Sequence, residues 1–206
     1  MDKGKFFVLE GIEACGKSTQ IEMLKPWLAE KDIKFFATKE PSGTDIGNIV
    51  TELIANADGS EMNKIARFFG FQISRSLLAP KIKHHLENGY HVFCDRWLYS
   101  TIAYQISGDD LPSLLVHVCN AVSSLTLTTN RVYLLDLPVE VALSRCEKRD
   151  DDIWFKRTEE YLNRVRDGYL EMASKNEKWL VIDGEMDKDE IQKCIRQDIR
   201  RLLNEG

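Results

Sequence analysis

The stretch LEGIEACGKSTQ at residues 9–20 constrains the fold more than any other feature of this chain. It contains the pattern G-x-x-x-x-G-K-[ST] from Gly11 to Ser18, after a short apolar run and before a segment of helical periodicity. In that context the backbone N–H groups of the loop form an anion-binding nest at a helix N-terminus. The sequence therefore predicts a phosphate-binding loop, with Lys17 bridging two phosphates and the Ser18 hydroxyl ligating Mg²⁺.

Short apolar runs alternate with longer segments of helical periodicity along the whole chain. The runs predict five buried strands, at residues 6–10, 33–38, 91–95, 132–137 and 179–183. The helical segments lie at residues 17–31, 44–56, 63–88, 111–125, 139–149, 158–175 and 187–204. This alternation predicts an α/β, three-layer fold with a five-stranded parallel sheet flanked by helices. We expect a single domain over residues 1–206, with a mobile lid at about residues 147–158.

Composition and charge narrow the class of protein. The 206 residues are 43% hydrophobic, which is enough for one sizeable core. The net charge is −5 and the basic residues are dispersed, which argues against polymeric nucleic acid as a partner. No apolar stretch is long enough to span a bilayer, so we expect a cytoplasmic protein without a membrane partner. The five scattered cysteines include no CxxC pair, which argues against a disulfide framework and a zinc site.

The third predicted strand ends on a carboxylate followed by an arginine, Asp95-Arg96. Ligands of open α/β sheets collect at the carboxyl ends of strands, and an arginine there can clamp a phosphate that faces the loop. The guanine-reading and water-positioning motifs of GTPase switches, Asn-Lys-x-Asp and Asp-x-x-Gly after a strand, do not occur. The pattern therefore indicates two phosphorylated ligands.

Further segments carry a specific resemblance. They are FVLEGIE and GKSTQ at 7–20, KEPSGT at 39–44, Phe71 with Arg75, DRW at 95–97, Ser100, AYQ at 103–105, ALSR at 142–145 and RVRDGYL at 164–170. Over nearly its whole length the chain resembles the thymidylate kinases, a family of P-loop nucleoside monophosphate kinases. The resemblance implies a P-loop kinase fold, a homodimer, and transfer of the ATP γ-phosphoryl group to dTMP, giving dTDP for dTTP synthesis.

The resemblance also implies roles for individual residues. The catalytic residues would be Lys17, Arg96, Glu13 and Asp95. ATP would contact Gly11, Ala14, Cys15, Gly16, Lys17, Ser18, Thr19, Arg145, Arg149 and Glu185. The dTMP site would comprise Glu13, Lys39, Pro41, Phe71, Arg75, Arg96, Ser100, Thr101, Tyr104 and Gln105. Mg²⁺ would contact Ser18 and Asp95, although Asp95 could instead pair with Arg96.

Within the dTMP site, the resemblance implies that Phe71 stacks on thymine and that Arg75 donates to its O4. Residues four apart share a helix face, so both side chains can approach the same base. Thr101 and Gln105 would bind the polar edge of the pyrimidine. Tyr104 would lie near the deoxyribose, and Glu13 near the sugar 3′-hydroxyl or the metal.

The chain departs from the family where a catalytic arginine is expected. Thymidylate kinases carry this arginine in the phosphate loop or in the lid, and here the loop has Ala14-Cys15 and the lid position has Ile153. Arg149, Lys156 and Arg157 are candidates to replace it, with the arginines favoured because a planar fork suits phosphoryl oxygens. Lys39 and Ser42 also replace an arginine and a glycine of the family pattern.

These departures leave alternatives to an active dTMP kinase. One is a kinase-like nucleotide-binding protein of low activity. The other is a kinase that prefers another pyrimidine deoxynucleotide, such as dUMP.

Overall fold

In the computed structural model, residues 3–56, 63–147 and 158–204 are described. All five predicted strands are present and all pair in parallel, in the spatial order β2-β3-β1-β4-β5. They are β1 Phe6–Glu10, β2 Phe35–Lys39, β3 His91–Asp95, β4 Arg131–Asp136 and β5 Trp179–Asp183. The expected α/β architecture with helices flanking a five-stranded sheet is confirmed.

The helices match the predicted segments except around residue 100. Their bounds are α1 Lys17–Glu30, α2 Asp45–Asn56, α3 Lys64–Glu87, α4 Leu98–Thr101, α5 Ser113–Ser123, α6 Val139–Glu147, α7 Glu159–Ser174 and α8 Lys188–Asn204. A π-helix at Ile102–Gly108 continues α4 without a break. Neither α4 nor this π-helix was among the helices predicted from the sequence.

The strand β2 begins at Phe35 and ends at Lys39, shifted toward the C-terminus from the predicted 33–38. Its register with β3 sets these limits, because Phe35 is paired with His91 and Lys39 with Asp95. The shift brings Lys39 level with the end of β3. The backbone N–H of Glu40 then donates to Asp95 O at 2.9 Å, which ties the chain after β2 to the same edge of the sheet.

The central strand β1 is buried along its whole length. Phe7 stacks on Phe93 of β3 and Tyr133 of β4, with ring centroids 4.9 and 6.4 Å apart. These contacts fix the three middle strands against one another. The loop that follows β1 therefore leaves the sheet at the centre of its carboxyl edge, where ligands of parallel sheets bind.

The predicted lid at 147–158, with Arg149, Ile153, Lys156 and Arg157, lies outside the described residues except for its two ends. Glu147 ends α6, and the Thr158 hydroxyl accepts from the backbone N–H of Tyr161 at the start of α7. Among the helices of the described ranges, none has the length and apolar character needed to cross a membrane.

Candidate active site

The phosphate-binding loop between β1 and α1 passes very close to β4. Gly11 has a φ of 140°, and a Cβ atom at this position would lie 2.6 Å from the carbonyl oxygen of Leu135. Only glycine combines this φ with this approach. The first glycine of the motif is therefore required by the packing of the loop against the sheet.

Lys17, the first residue of α1, is 6% exposed and points back over the loop. Its Nζ donates to the carbonyl oxygens of Gly11 and Ile12 at 3.1 and 2.7 Å, and lies 3.3 Å from the sulfur of Cys15. Lys17 also lines the cavity described below. The ammonium group is thus held by the loop at the edge of the space where phosphates would bind.

The two residues predicted to ligate Mg²⁺ are in direct contact. The Ser18 hydroxyl, in the first turn of α1, donates to the Asp95 carboxylate at the end of β3. The register of β1 and β3, in which Leu9 is paired with Asp95, brings these two elements together. Of the two roles left open for Asp95, this contact favours the one near the metal.

A cavity of about 390 Å³ opens beside the loop, at the carboxyl ends of β1, β2 and β3. All the residues predicted to bind dTMP line it: Glu13, Lys39, Pro41, Phe71, Arg75, Arg96, Ser100, Thr101, Tyr104 and Gln105. Ala14, Lys17, Ser18 and Asp95 line it as well. Glu40, Ser42 and Thr51 also line it, although no binding role was predicted for them.

Arg96 projects into this cavity from a strained backbone. Its φ is 69°, in the left-handed region that residues other than glycine rarely adopt. Its Nη1 donates to Gly11 O, Ser100 Oγ and Tyr169 Oη at 3.0, 3.2 and 3.3 Å. Its Nη2 lies 3.8 Å from Glu13 Oε1. The guanidinium is therefore positioned between the phosphate loop and the π-helix side of the cavity.

Glu13, in the loop, and Tyr104, in the π-helix, meet across the cavity. The Tyr104 hydroxyl donates to Glu13 Oε2 at 2.6 Å, and the Arg96 guanidinium lies over the Tyr104 ring at 5.3 Å from its centroid. These contacts bring the predicted sugar-binding pair next to the predicted phosphate clamp.

Arg75, predicted to contact the base, is 1% exposed, and several buried side chains accept hydrogen bonds from its guanidinium group. Glu40 accepts from its Nε at 3.0 and 3.1 Å and from its Nη2 at 2.7 Å. Thr101 Oγ1 accepts from Nη2 at 2.7 Å, and Asn120 Oδ1 from Nη1 at 2.7 Å. Phe71, on the same face of α3, is half-buried and lines the cavity. The structure brings the two predicted base contacts together and fixes the arginine.

Neither Glu40, in the KEPSGT segment, nor Asn120, in α5, was predicted to have a role in the site. Both act on Arg75 through contacts across 35 and 45 positions of the chain, which no local sequence signal marks. Burial raises the pKa of Glu40 to about 7, against the lowering effect of Arg75. Burial therefore favours the protonated form of the carboxyl group that anchors Arg75, relative to an exposed glutamate.

A second buried carboxylate, Glu10 at the end of β1, was also not predicted as a site residue. It is 0% exposed and accepts from the backbone N–H groups of Trp97 and Ser100 and from the hydroxyls of Ser100 and Tyr169. Burial raises its pKa, and these hydrogen bonds and Arg96 oppose the shift. Its position as the last residue of a buried strand, directly before the loop, was the available sequence signal.

Two of the residues predicted to contact ATP, Arg145 and Glu185, lie on the other side of the phosphate loop. Arg145 of α6 donates to Ala14 O at 3.4 Å and to Gly184 O at 3.2 Å. The backbone N–H of Glu185 donates to the Asp183 carboxylate at 2.9 Å. Thr19 is exposed in the first turn of α1. Arg149 lies outside the described residues. Arg145 thus joins the loop to the turn after β5, away from the dTMP-side cavity.

Comparison with known proteins agrees with this geometry. The family described as thymidylate kinase matches residues 9–195. A thymidylate kinase of Fervidobacterium nodosum is 35% identical over 191 residues, covering 92% of this chain and 95% of its own. A thymidylate kinase of Nostoc sp. is 32% identical over 201 residues, covering 94% of each chain. The chain belongs to the thymidylate kinase family.

Proposed function

We propose that the protein is a dTMP kinase that transfers the γ-phosphoryl group of ATP to dTMP and releases dTDP and ADP. The observation that carries the proposal is the cavity beside the phosphate loop, which is lined by every residue that the family resemblance assigns to dTMP. The donor loop lines one side of the acceptor cavity, and Arg96 lies between them. This arrangement suits phosphoryl transfer between two bound phosphates.

In this mechanism the protein positions two polyanions and stabilises the charge that moves between them. The loop N–H groups and Lys17 hold the donor phosphates. Arg96, already fixed by Gly11 O and two hydroxyls, binds the dTMP phosphate with little reorganisation. Phe71 and Arg75 orient the base, and Tyr104 with Glu13 borders the sugar.

Mg²⁺ fits the residues present. Ser18 and Asp95 offer a hydroxyl and a carboxylate in contact with each other at the cavity, and both are oxygen ligands of the kind that Mg²⁺ prefers. Within residues 3–56, 63–147 and 158–204, no group of three or more His, Cys, Asp or Glu side chains could hold a metal. This agrees with Mg²⁺ bound by few protein ligands together with substrate phosphates, where it would neutralise phosphate charge.

A further cation is expected to reach the transferring group from residues 147–158. Arg149 and Arg157 are preferred to Lys156, because a guanidinium fork matches two phosphoryl oxygens. Single alanine variants at the three positions should separate them. The alanine variant of the residue that supplies this cation should have a kcat about 1000-fold lower, and the other two variants should lose little.

A coupled ADP-release assay tests the proposal with dTMP, dUMP, dCMP and dGMP as acceptors, with Mg²⁺ and with EDTA. We expect turnover with dTMP to exceed that with the other acceptors and to stop with EDTA. Turnover highest with dUMP would instead identify the alternative pyrimidine kinase. Calorimetry that finds dTMP and ATP binding without dTDP formation would contradict catalysis.

We also propose that the protein is a homodimer, from an apolar surface on three neighbouring helices. Its exposed members are Ile46, Ile49 and Leu53 of α2, Phe69, Ile73 and Leu77 of α3, and Leu114, Val118 and Val122 of α5. Exposed apolar side chains gathered on neighbouring helices are typical of protein interfaces. The cytoplasmic location and the single domain over residues 1–206 stay predictions from the sequence.

A further inference from the structure

The buried carboxylate of Glu10 is linked to Arg96 by two routes, each through one intervening hydroxyl group. Ser100 Oγ lies 2.7 Å from Glu10 Oε2 and 3.2 Å from Arg96 Nη1. Tyr169 Oη lies 3.0 Å from Glu10 Oε2 and 3.3 Å from Arg96 Nη1. The two hydroxyls are 2.8 Å apart. Glu10 itself does not line the cavity, so it can act on a ligand only through other groups.

The two oxygens of Glu10 have different partners. Oε1 accepts from the backbone N–H groups of Trp97 and Ser100 at 2.8 and 3.3 Å, at the start of α4. Oε2 accepts from the two hydroxyls. Because backbone N–H groups can only donate, the atom at the Oε1 position has to be an acceptor.

The direction of the hydroxyl hydrogens follows from these contacts. Arg96 can only donate, so Ser100 and Tyr169 must each present a lone pair to it. An ionised carboxylate can only accept, and it draws the hydroxyl hydrogens away from Arg96, either directly or through the contact between the two hydroxyls. The carboxylate therefore makes both hydroxyls acceptors for the arginine.

We propose that Glu10 is a positioning residue for phosphoryl transfer, which holds the Arg96 guanidinium in place by orienting the hydroxyls of Ser100 and Tyr169. The inference rests on the role proposed for Arg96 in binding the dTMP phosphate. Tyr169, on α7, becomes a second positioning residue. It is buried and comes from an element distant in sequence, which makes the geometry of Arg96 depend on the packing of α7.

Glu10→Gln tests the proposal with little change in shape. Its amide oxygen has to face the N–H groups of Trp97 and Ser100, so its NH₂ group faces the two hydroxyls and donates to them. At least one hydroxyl hydrogen then turns toward Arg96 or loses its acceptor. We expect kcat with dTMP to fall by about 10- to 100-fold, while KM for ATP stays close to the parent value.

Asp198→Asn and Tyr133→Phe are matched controls. Asp198 is a largely buried carboxylate that accepts from the Tyr133 hydroxyl at 3.1 Å, outside the cavity. Tyr133→Phe removes the same kind of hydroxyl contact, and Asp198→Asn also weakens ion pairs with Arg131 and Arg201, so both variants should lower the melting temperature without lowering kcat. Tyr169→Phe should lower kcat, and the Glu10→Gln/Tyr169→Phe double variant should lose little more than Glu10→Gln alone, since both act through one path.

The outcomes that overturn the proposal are specific. They are a parent-like kcat in folded Glu10→Gln, or losses that multiply in the double variant. If Glu10→Gln does not fold, Tyr169→Phe decides, and a kcat equal to that of Tyr133→Phe overturns the proposal.

A crystal structure of Glu10→Gln separates this inference from the proposed function, because it needs no turnover. The Arg96 guanidinium should leave at least one of its two hydroxyl contacts. Both contacts unchanged would overturn the inference. A parent protein without dTMP kinase activity would overturn the proposed function alone.

Discussion

The two arginines that line the cavity are held by the protein through acceptors arranged around each guanidinium. Arg96 is bonded by a loop carbonyl and two hydroxyls, and Arg75 by a carboxylate, a hydroxyl and an amide. A cation fixed in this way needs little reorganisation when the ligand charge develops, and such preorganisation is a main source of rate enhancement.

Arg96→Ala should lower kcat with dTMP by at least about 100-fold, because the phosphate between donor and acceptor loses its fixed cation. Steady-state kinetics with both substrates varied measures the effect. Arg201→Ala, an exposed arginine of α8 away from the cavity, is the control and should keep parent activity. Near-normal turnover of Arg96→Ala would refute the role of Arg96.

The pKa of Glu40 predicts a dependence of stability on pH. Burial raises this pKa from 4.5 to about 7, so between these values the folded state binds more protons than the unfolded chain. The stabilisation by Glu40 is complete below pH 4.5 and is lost as pH rises toward 7.

Denaturant unfolding from pH 4.5 to 8 should show this loss as a difference between the parent and Glu40→Gln. The free energy of unfolding of the parent relative to the variant should fall by roughly 3 kcal/mol over the range. A difference that does not fall as pH rises would mean that Arg75 keeps the carboxylate ionised throughout.

At the scale of elements, periodicity and motif spacing predicted all five strands, because each strand is a short apolar run with polar ends. The parallel sheet then followed from the alternation of strands and helices. The loop from Gly11 to Ser18 was predictable because its chemistry is contained in consecutive residues.

The segment after β3 was harder to predict. In the π-helix Ile102–Gly108 the backbone N–H of Asp109 bonds to Tyr104 O, five residues earlier, which is a wider turn than that of an α-helix. Thr101 and Gln105 still line the cavity. Glu10, Glu40 and Tyr169 were missed as site residues because their roles arise from contacts between distant parts of the chain.

Close packing of α7 on the π-helix should be sensitive to one methyl group. A Cβ atom at Gly168 would lie 2.9 Å from Ser107 Cβ and 3.5 Å from Ala103 Cα. Gly168→Ala should therefore push α7 away from the π-helix, lower the free energy of unfolding by about 1–3 kcal/mol and raise KM for dTMP.

Thermal unfolding and dTMP kinetics measure both effects of Gly168→Ala. Gly70→Ala in α3 is the matched control, since the atoms nearest to its methyl group would be flexible side-chain carbons of Val50 and Ile54 at 3.2 Å. If KM for dTMP rises no more in Gly168→Ala than in Gly70→Ala, α7 can move without affecting the cavity.

At the scale of the whole molecule, the apolar surface of α2, α3 and α5 lies on the same helices that support the base end of the cavity. Leu114 and Val122 are 78% and 72% exposed on α5, and Asn120 of the same helix accepts from Arg75. Gln72 of α3 donates to Asn120 at 3.0 Å and accepts from Ser123 at 2.6 Å. Contacts between subunits on this surface would therefore also steady Arg75.

Leu114→Glu combined with Val122→Glu should convert a dimer into a monomer, because two carboxylates would lose their hydration in an apolar interface. Sedimentation equilibrium of the parent should give twice the mass of the chain, and the variant should give half of that. We expect KM for dTMP to rise in the variant with little change in KM for ATP, since Arg75 contacts the acceptor side alone.

Val181→Glu, on the exposed side of β5, adds a charge at a 46% exposed valine on another element and should leave mass and kinetics unchanged. A monomeric parent at micromolar concentration would refute the dimer, and a monomeric variant with parent KM for dTMP would refute the coupling to Arg75.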